Sequence, residues 1–221
     1  MGFISLEQAD RLFWLGRYTE RVYSTIRLYF TSADIMIDEA TDSYPKFCSD
    51  LDIPNVYSDK DDFLKRYPFD KTNPDSIISN LIRAYDNAIE LRETIGSEPL
   101  SYIQLSIYDM NKVNTKMTSA FHELQNVIDH ILAFWGIVDD MIDSEQIRNI
   151  IKAGKRIERI DLYARLGLPA KRISREINRM IPRVEKSGLK YNAEKLENLK
   201  SLVTAPEIDY YKIVSEAETI F

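Results

Sequence analysis

A helical apolar repeat runs from Leu6 to about Ala40 with no proline in it, and Ser5 followed by Gln8 reads as a capping box in front of it. The pattern predicts a first helix about 50 Å long. From 41 to 73 the periodicity stops. Turn formers such as Asp42, Pro45, Asp50, Pro54, Asn55 and Pro68 alternate with Tyr44, Phe47, Tyr57, Phe63 and Tyr67, which predicts an aromatic-pinned loop with a short helix near 59–67. Asn73 as cap, Pro74 at the first helical position and Gly96 as stop predict a helix over 74–95. Pro99 opens a further pattern through Leu105, Met110, Phe121, Leu124 and Trp135 to about Ile142, with a break near Asn111–Thr115. Ser144 then caps a helix that ends at Leu166, before Gly167 and Pro169. Shorter helices are expected at 170–184 and 192–204. Beyond Pro206, Glu207, Asp209, Glu216 and Glu218 stand among Ile208, Tyr210, Tyr211, Ile213 and Val214.

The reading is an all-α fold, a single-domain helical bundle over residues 1–205, followed by an acidic amphipathic tail over 206–221. Composition agrees. Apolar residues make up 44% of the 221, enough for a sizeable core, and seven glycines with eight prolines are too few for a many-turned β protein. A net charge of −6 from well-mixed acids and bases argues against neutralising phosphate backbones, so nucleic acid is not expected as a partner. The longest apolar run, Ile131–Val138, is too short to cross a bilayer, and no signal-peptide layout opens the chain. With the single cysteine Cys48, a cytoplasmic protein without disulfides is expected.

One pattern occurs twice. Gly16-Arg17-Tyr18-Thr19-Glu20-Arg21 continues to Arg27-Leu28, and Gly154-Lys155-Arg156-Ile157-Glu158-Arg159 continues to Arg165-Leu166. At about 100° per residue, the Gly, the Glu and the last Arg of each copy fall within about 40° of one another. Glycine lets another backbone approach, so each stripe brings a carboxylate and a guanidinium to a helix crossing. The carboxylates lie in apolar surroundings and need partners. An antiparallel crossing through both glycines would set Glu20 against Arg165 or Arg159, and Glu158 against Arg27 or Arg21. Such a cluster is either a buried lock on helix register or a ligand site, with arginines for a carboxylate or phosphate and glutamates for an amine or a metal; in an enzyme, Glu20 or Glu158 would be the general base. Other chemistry is sparse. His122 and His130 lie eight apart without a Glu-x-x-His pair, and Asp139, Asp140 and Asp143 lack the spacing of a calcium loop, so no metal or cofactor is expected.

Phe13-Trp14-Leu15-Gly16-Arg17-Tyr18 with Glu20-Arg21, the block Asn73-Pro74-Asp75-Ser76-Ile77 leading to Arg83, Asn87, Arg92 and Glu93, and Gly154 through Glu158-Arg159 together resemble the alpha-E domain family, over residues 3 to about 167. Family members are predicted helical proteins named for a Glu-Arg motif, and are often encoded beside or fused to ATP-grasp ligase-like and transglutaminase-like proteins. The resemblance implies a role in making or modifying small peptides, with Arg83 joining the charged cluster. The chain departs from the family pattern, which often has Arg where Tyr85 stands, and Trp and Asn near Pro99 and Ser106. The function expected is a non-catalytic partner or scaffold for an ATP-grasp ligase-like or transglutaminase-like protein, with a second copy of the chain as a further partner. The alternative is an acyl or aminoacyl transferase or ligase accessory that binds a carboxylate or phosphate.

Overall fold

The structure is a computed structural model that describes residues 4–39, 41–112 and 117–221. Those residues hold eleven α-helices, one 3-10 turn and no strand, an all-α fold as the periodicity predicts. In chain order the helices are α1 (Leu6–Asp38), α2 (Tyr44–Asp50), α3 (Lys60–Arg66), α4 (Ile77–Glu90), α5 (Arg92–Ile95), α6 (Ser97–Asn111), α7 (Met117–Met141), α8 (Glu145–Arg165), α9 (Ala170–Glu185), α10 (Ala193–Leu202) and α11 (Tyr210–Glu218). The chain forms two compact units, Met1–Glu20 with Asp143–Phe221, and Arg21–Ile142. α1 contributes to both.

Local chemistry explains several of the helix starts. Ser5 Oγ accepts from the Gln8 amide while Gln8 Oε1 accepts from the Ser5 amide, both at 3.1 Å, so the expected capping box forms. Ser144 accepts from the Ile147 amide and starts α8. The expected cap at Asn73 is corrected. Asn73 accepts from the Asp75 amide in a turn, and Ser76, accepting from the Ser79 amide, caps α4 three residues later. The helix expected over 74–95 is therefore α4 and α5, separated at Leu91. The expected break near Asn111–Thr115 falls between α6 and α7, and 113–116 lie outside the described residues.

In the first unit, Ala153, Ile157, Ile160 and Ala164 form one apolar face of α8. That face packs with Ile173, Ile177 and Met180 of α9, Leu196 and Leu199 of α10, and Ile213 and Ala217 of α11. Each fully buried aliphatic side chain adds roughly 1.5–3 kcal/mol. The stretch after Pro206 is part of this core, and the Asn192 amide donates to the Ile220 carbonyl at 2.8 Å.

In the second unit, the loop expected over 41–73 has aromatic pins, as its residues suggest, and also holds the short helix α2, begun by Pro45 in its first turn. Phe63 stacks on Tyr67 with centroids 5.2 Å apart, and Phe47 and Tyr57 meet both rings edge-on. Tyr29 of α1 joins them and donates its hydroxyl to the Leu64 carbonyl at 2.6 Å. Burial leaves the Tyr57 phenol raised to about 12 and the Cys48 thiol to about 11.

Candidate functional site

The two motif glycines meet in the first unit. A Cβ on Gly16 would overlap the Ile151 carbonyl oxygen and stand 2.9 Å from its carbon, and a Cβ on Gly154 would overlap the Phe13 carbonyl oxygen and stand 3.1 Å from its carbon. Each glycine thus faces the carbonyl three residues before the other, a reciprocal contact with no room for a side chain. The backbones of α1 and α8 touch there because neither carries a Cβ.

Charges flank this contact in a matching order. Arg17, one residue past its glycine, donates Nε to Glu158 Oε2 at 2.8 Å, and Glu158 lies four past Gly154. In the reciprocal position Lys155 Nζ stands 4.0 Å from Glu20 Oε2. Glu20 also accepts on Oε1 from Arg159 Nε at 2.8 Å and Nη2 at 2.5 Å. Glu20 is 0% exposed, and Glu158 and Arg17 are each 4% exposed. Carboxylates so placed need the guanidinium partners they have.

The expected pairings hold in part. Glu20 meets Arg159, but Arg165 turns instead to Asp161 Oδ1 at 2.6 Å, one helical turn back on α8. Glu158 is engaged by Arg17. The pairs join the segments that come after both glycines; the antiparallel alignment expected from the sequence would join a segment before one glycine to a segment after the other. Arg21 and Arg27 belong to the second unit, where Arg27 is exposed and donates to the Tyr23 hydroxyl at 3.1 Å. Eleven residues past Gly16, Arg27 is about 16 Å further along α1. Arg83 is also in the second unit, with Nη1 donating to the Pro74 carbonyl at 2.8 Å, so it supports the turn before α4.

Two acids outside the doubled pattern complete the cluster. Asp161, 3% exposed, accepts from Arg17 Nη2 at 3.2 Å as well as from Arg165. Burial, with Glu158 as the next cause, raises its carboxyl above the usual range. Glu176 of α9 is 0% exposed and takes Arg156 Nη1 at 2.6 Å and Arg179 Nη1 at 3.0 Å, with Arg159 Nη1 at 3.9 Å. Their signal lies in spacing: Asp161 precedes Arg165 by four and Glu176 precedes Arg179 by three, both helical pair distances. Arg17 is further held over the Trp14 ring at 4.9 Å and approaches Glu218 of α11 at 3.9 Å.

Lys155 differs from the guanidiniums around it. Burial drives its amine down to about 7; Glu20 pulls it up, while Arg159, Arg156 and Lys152 push it further down. Arg159 moves the other way: burial lowers it, and Glu20 and Glu176 more than offset that. Chemically, the arrangement holds a register through buried ion pairs and keeps one amine near neutrality. Among the described residues no group of three metal-ligating side chains stands together, and no helix is long and apolar enough to cross a membrane.

No curated protein and no solved structure matches the chain. A family model does, over residues 7–187, and its description is a predicted alpha-helical domain with a conserved ER motif. This chain has Glu-Arg at 20–21 and 158–159, and the match continues past the 167 at which the resemblance ends, through α9. Covering most of the 221 residues, it makes the chain a member of the Alpha-E family.

Proposed function

We propose that this protein is a non-catalytic partner or scaffold in a cytoplasmic system that makes or modifies small peptides, built around an ATP-grasp ligase-like or transglutaminase-like enzyme. The supporting observation is the way the two motif carboxylates are held. A general base must reach its substrate's proton directly or through one water. Glu20 and Glu158 are instead buried under Arg159 and Arg17, which suits a lock that holds a binding surface in shape. The family's usual gene neighbours supply the class of partner. The test is co-expression with an ATP-grasp ligase-like and a transglutaminase-like protein from the same genome, then affinity capture and an assay of ATP turnover. A stable complex, with no turnover by the chain alone, is expected. Turnover by the chain alone without a complex would overturn the proposal.

One observation favours the alternative, an acyl or aminoacyl transferase or ligase accessory. Lys155, at about 7 and beside Glu20, is suited to act as a neutral amine base or nucleophile. On that reading Lys155→Met abolishes turnover while leaving the fold intact.

A further inference from the structure

Away from the glycine crossing, α8 and α9 pair along a second seam. Arg156 meets Glu176 at 2.6 Å, and seven residues earlier on α8 Asn149 Oδ1 accepts from Arg183 Nη1 at 2.9 Å, seven residues later on α9. The two contacts fix an antiparallel register and bracket a short span of both helices. Within it the sequence is one-sided. Residues 149–156 carry Lys152, Lys155 and Arg156 with no acid, and 176–183 carry Arg179 and Arg183 with Glu176, so these two stretches hold five cations and one carboxylate in a chain whose net charge is −6. Lys155 turns to Glu20 of α1. The remaining four, Lys152, Arg156, Arg179 and Arg183, sit at i, i+4 on each helix, and therefore on one flank of each.

From this juxtaposition we infer that Lys152, Arg156, Arg179 and Arg183 form a binding site for the phosphate group of a small molecule, at the edge of the α8–α9 seam. Glu176 holds Arg156 and Arg179 from one end and Asn149 holds Arg183 from the other, so the guanidiniums are positioned before a ligand arrives. Arg179, with half of its side chain exposed, opens the span to solvent. Three guanidinium forks and an ammonium match the two charges and three oxygens of a phosphate ester better than the single charge of a carboxylate. The amine of Lys152 registers the surplus of positive charge: burial lowers it to about 8, and Arg183 and Arg156 add to the effect. An anion bound beside it reverses that repulsion, so binding is accompanied by proton uptake at Lys152. The site shares Arg156 and Arg179 with the ion pairs around Glu176 beside the glycine crossing, and does not depend on the partner reading.

Calorimetric titration of the full chain with inorganic phosphate and with pyrophosphate, at pH 8 and low salt in buffers of different ionisation enthalpy, tests this. Saturable one-to-one binding is expected, with more protons taken up by the wild type than by Lys152→Gln. Lys152→Gln and Arg183→Gln each weaken binding about tenfold or more, and Arg183→Lys keeps part of it. Amide chemical-shift changes on the wild type, confined to 149–156 and 176–183, give the same answer without a variant. The site is refuted by the absence of saturable binding, by acetate binding as tightly as phosphate, or by both Gln variants binding like the wild type.

Discussion

The two compact units solve one problem, fixing helices in register, with opposite chemistry. In the first, α1 and α8 meet backbone to backbone at Gly16 and Gly154 and are pinned by Arg17–Glu158 and Arg159–Glu20. In the second, α1 and the 41–73 segment are pinned by the rings of Tyr29, Phe47, Tyr57, Phe63 and Tyr67. Rings gain from buried area in many orientations and tolerate a shift of register. Ion pairs without water do not, because a displaced partner leaves a buried charge uncompensated. The charged crossing is therefore the more exacting of the two.

The largest expected effects come from removing the central group of each region. Arg17→Met takes a buried guanidinium partner from both Glu158 and Asp161 and should cost about 3–5 kcal/mol in urea unfolding. Phe63→Ala empties the ring cluster and should cost about as much, roughly 3–5 kcal/mol. Conservative repair separates the two regions: Phe63→Leu should recover most of the loss, whereas Arg17→Lys, lacking the fork that reaches both Glu158 and Asp161, should recover little. Equal recovery in both would erase the distinction.

Gly154→Ala comes next. Its methyl has to displace the Phe13 carbonyl, an overpacking cost of about 1–3 kcal/mol that the better helix propensity of Ala, up to about 1 kcal/mol, does not cancel. At Gly136 on α7, where a Cβ would meet no atom of another helix or loop within 4 Å among the described residues, the same substitution should be neutral or stabilising.

The regions also differ in their response to pH. Lys155 sits at about 7 in the folded chain and about 10.4 when unfolded. Between those values the unfolded chain binds the extra proton, so this residue makes stability rise with pH, and below 7 its full cost is present. In the aromatic unit Tyr57 is raised to about 12 and Cys48 to about 11, so the folded chain keeps protons that the unfolded chain loses, and stability falls from about pH 9 upward. Denaturation across pH 6–11 should show Lys155→Met more stable than the wild type at pH 6, with the curves converging by pH 10. A constant difference across that range would contradict the assignment. The smallest effect belongs to Arg27→Ala, exposed and hydrogen-bonded to Tyr23, which should change stability by less than about 0.5 kcal/mol.

Much of this is legible in the sequence because its signals are local. The Ser5–Gln8 box, the Ser144 cap and the apolar period place helix ends within a few residues. The doubled glycine pattern locates the crossing, since only a residue without a Cβ fits there. What one-dimensional spacing lacks is the direction in which two helices cross. That is why spacing alone does not find Arg17 as the partner of Glu158, and why it carries Arg165 past Asp161 to Glu20. For Glu176, spacing offers only the pair with Arg179 on its own helix; its links to Arg156 and Arg159 cross a turn whose geometry no period encodes. Asn73 reads as a cap because it does make a turn, three residues too early.

The claim that the charged crossing is a lock is most directly tested by a double-mutant cycle on Glu20 and Arg159, read by urea unfolding at pH 7. Glu20→Met and Arg159→Met alone should each cost roughly 3 kcal/mol or more, by taking its hydrogen-bonded partner from a buried charge, and the double variant should recover most of that loss. Single variants within about 0.5 kcal/mol of the wild type, with no coupling between the two sites, would contradict it.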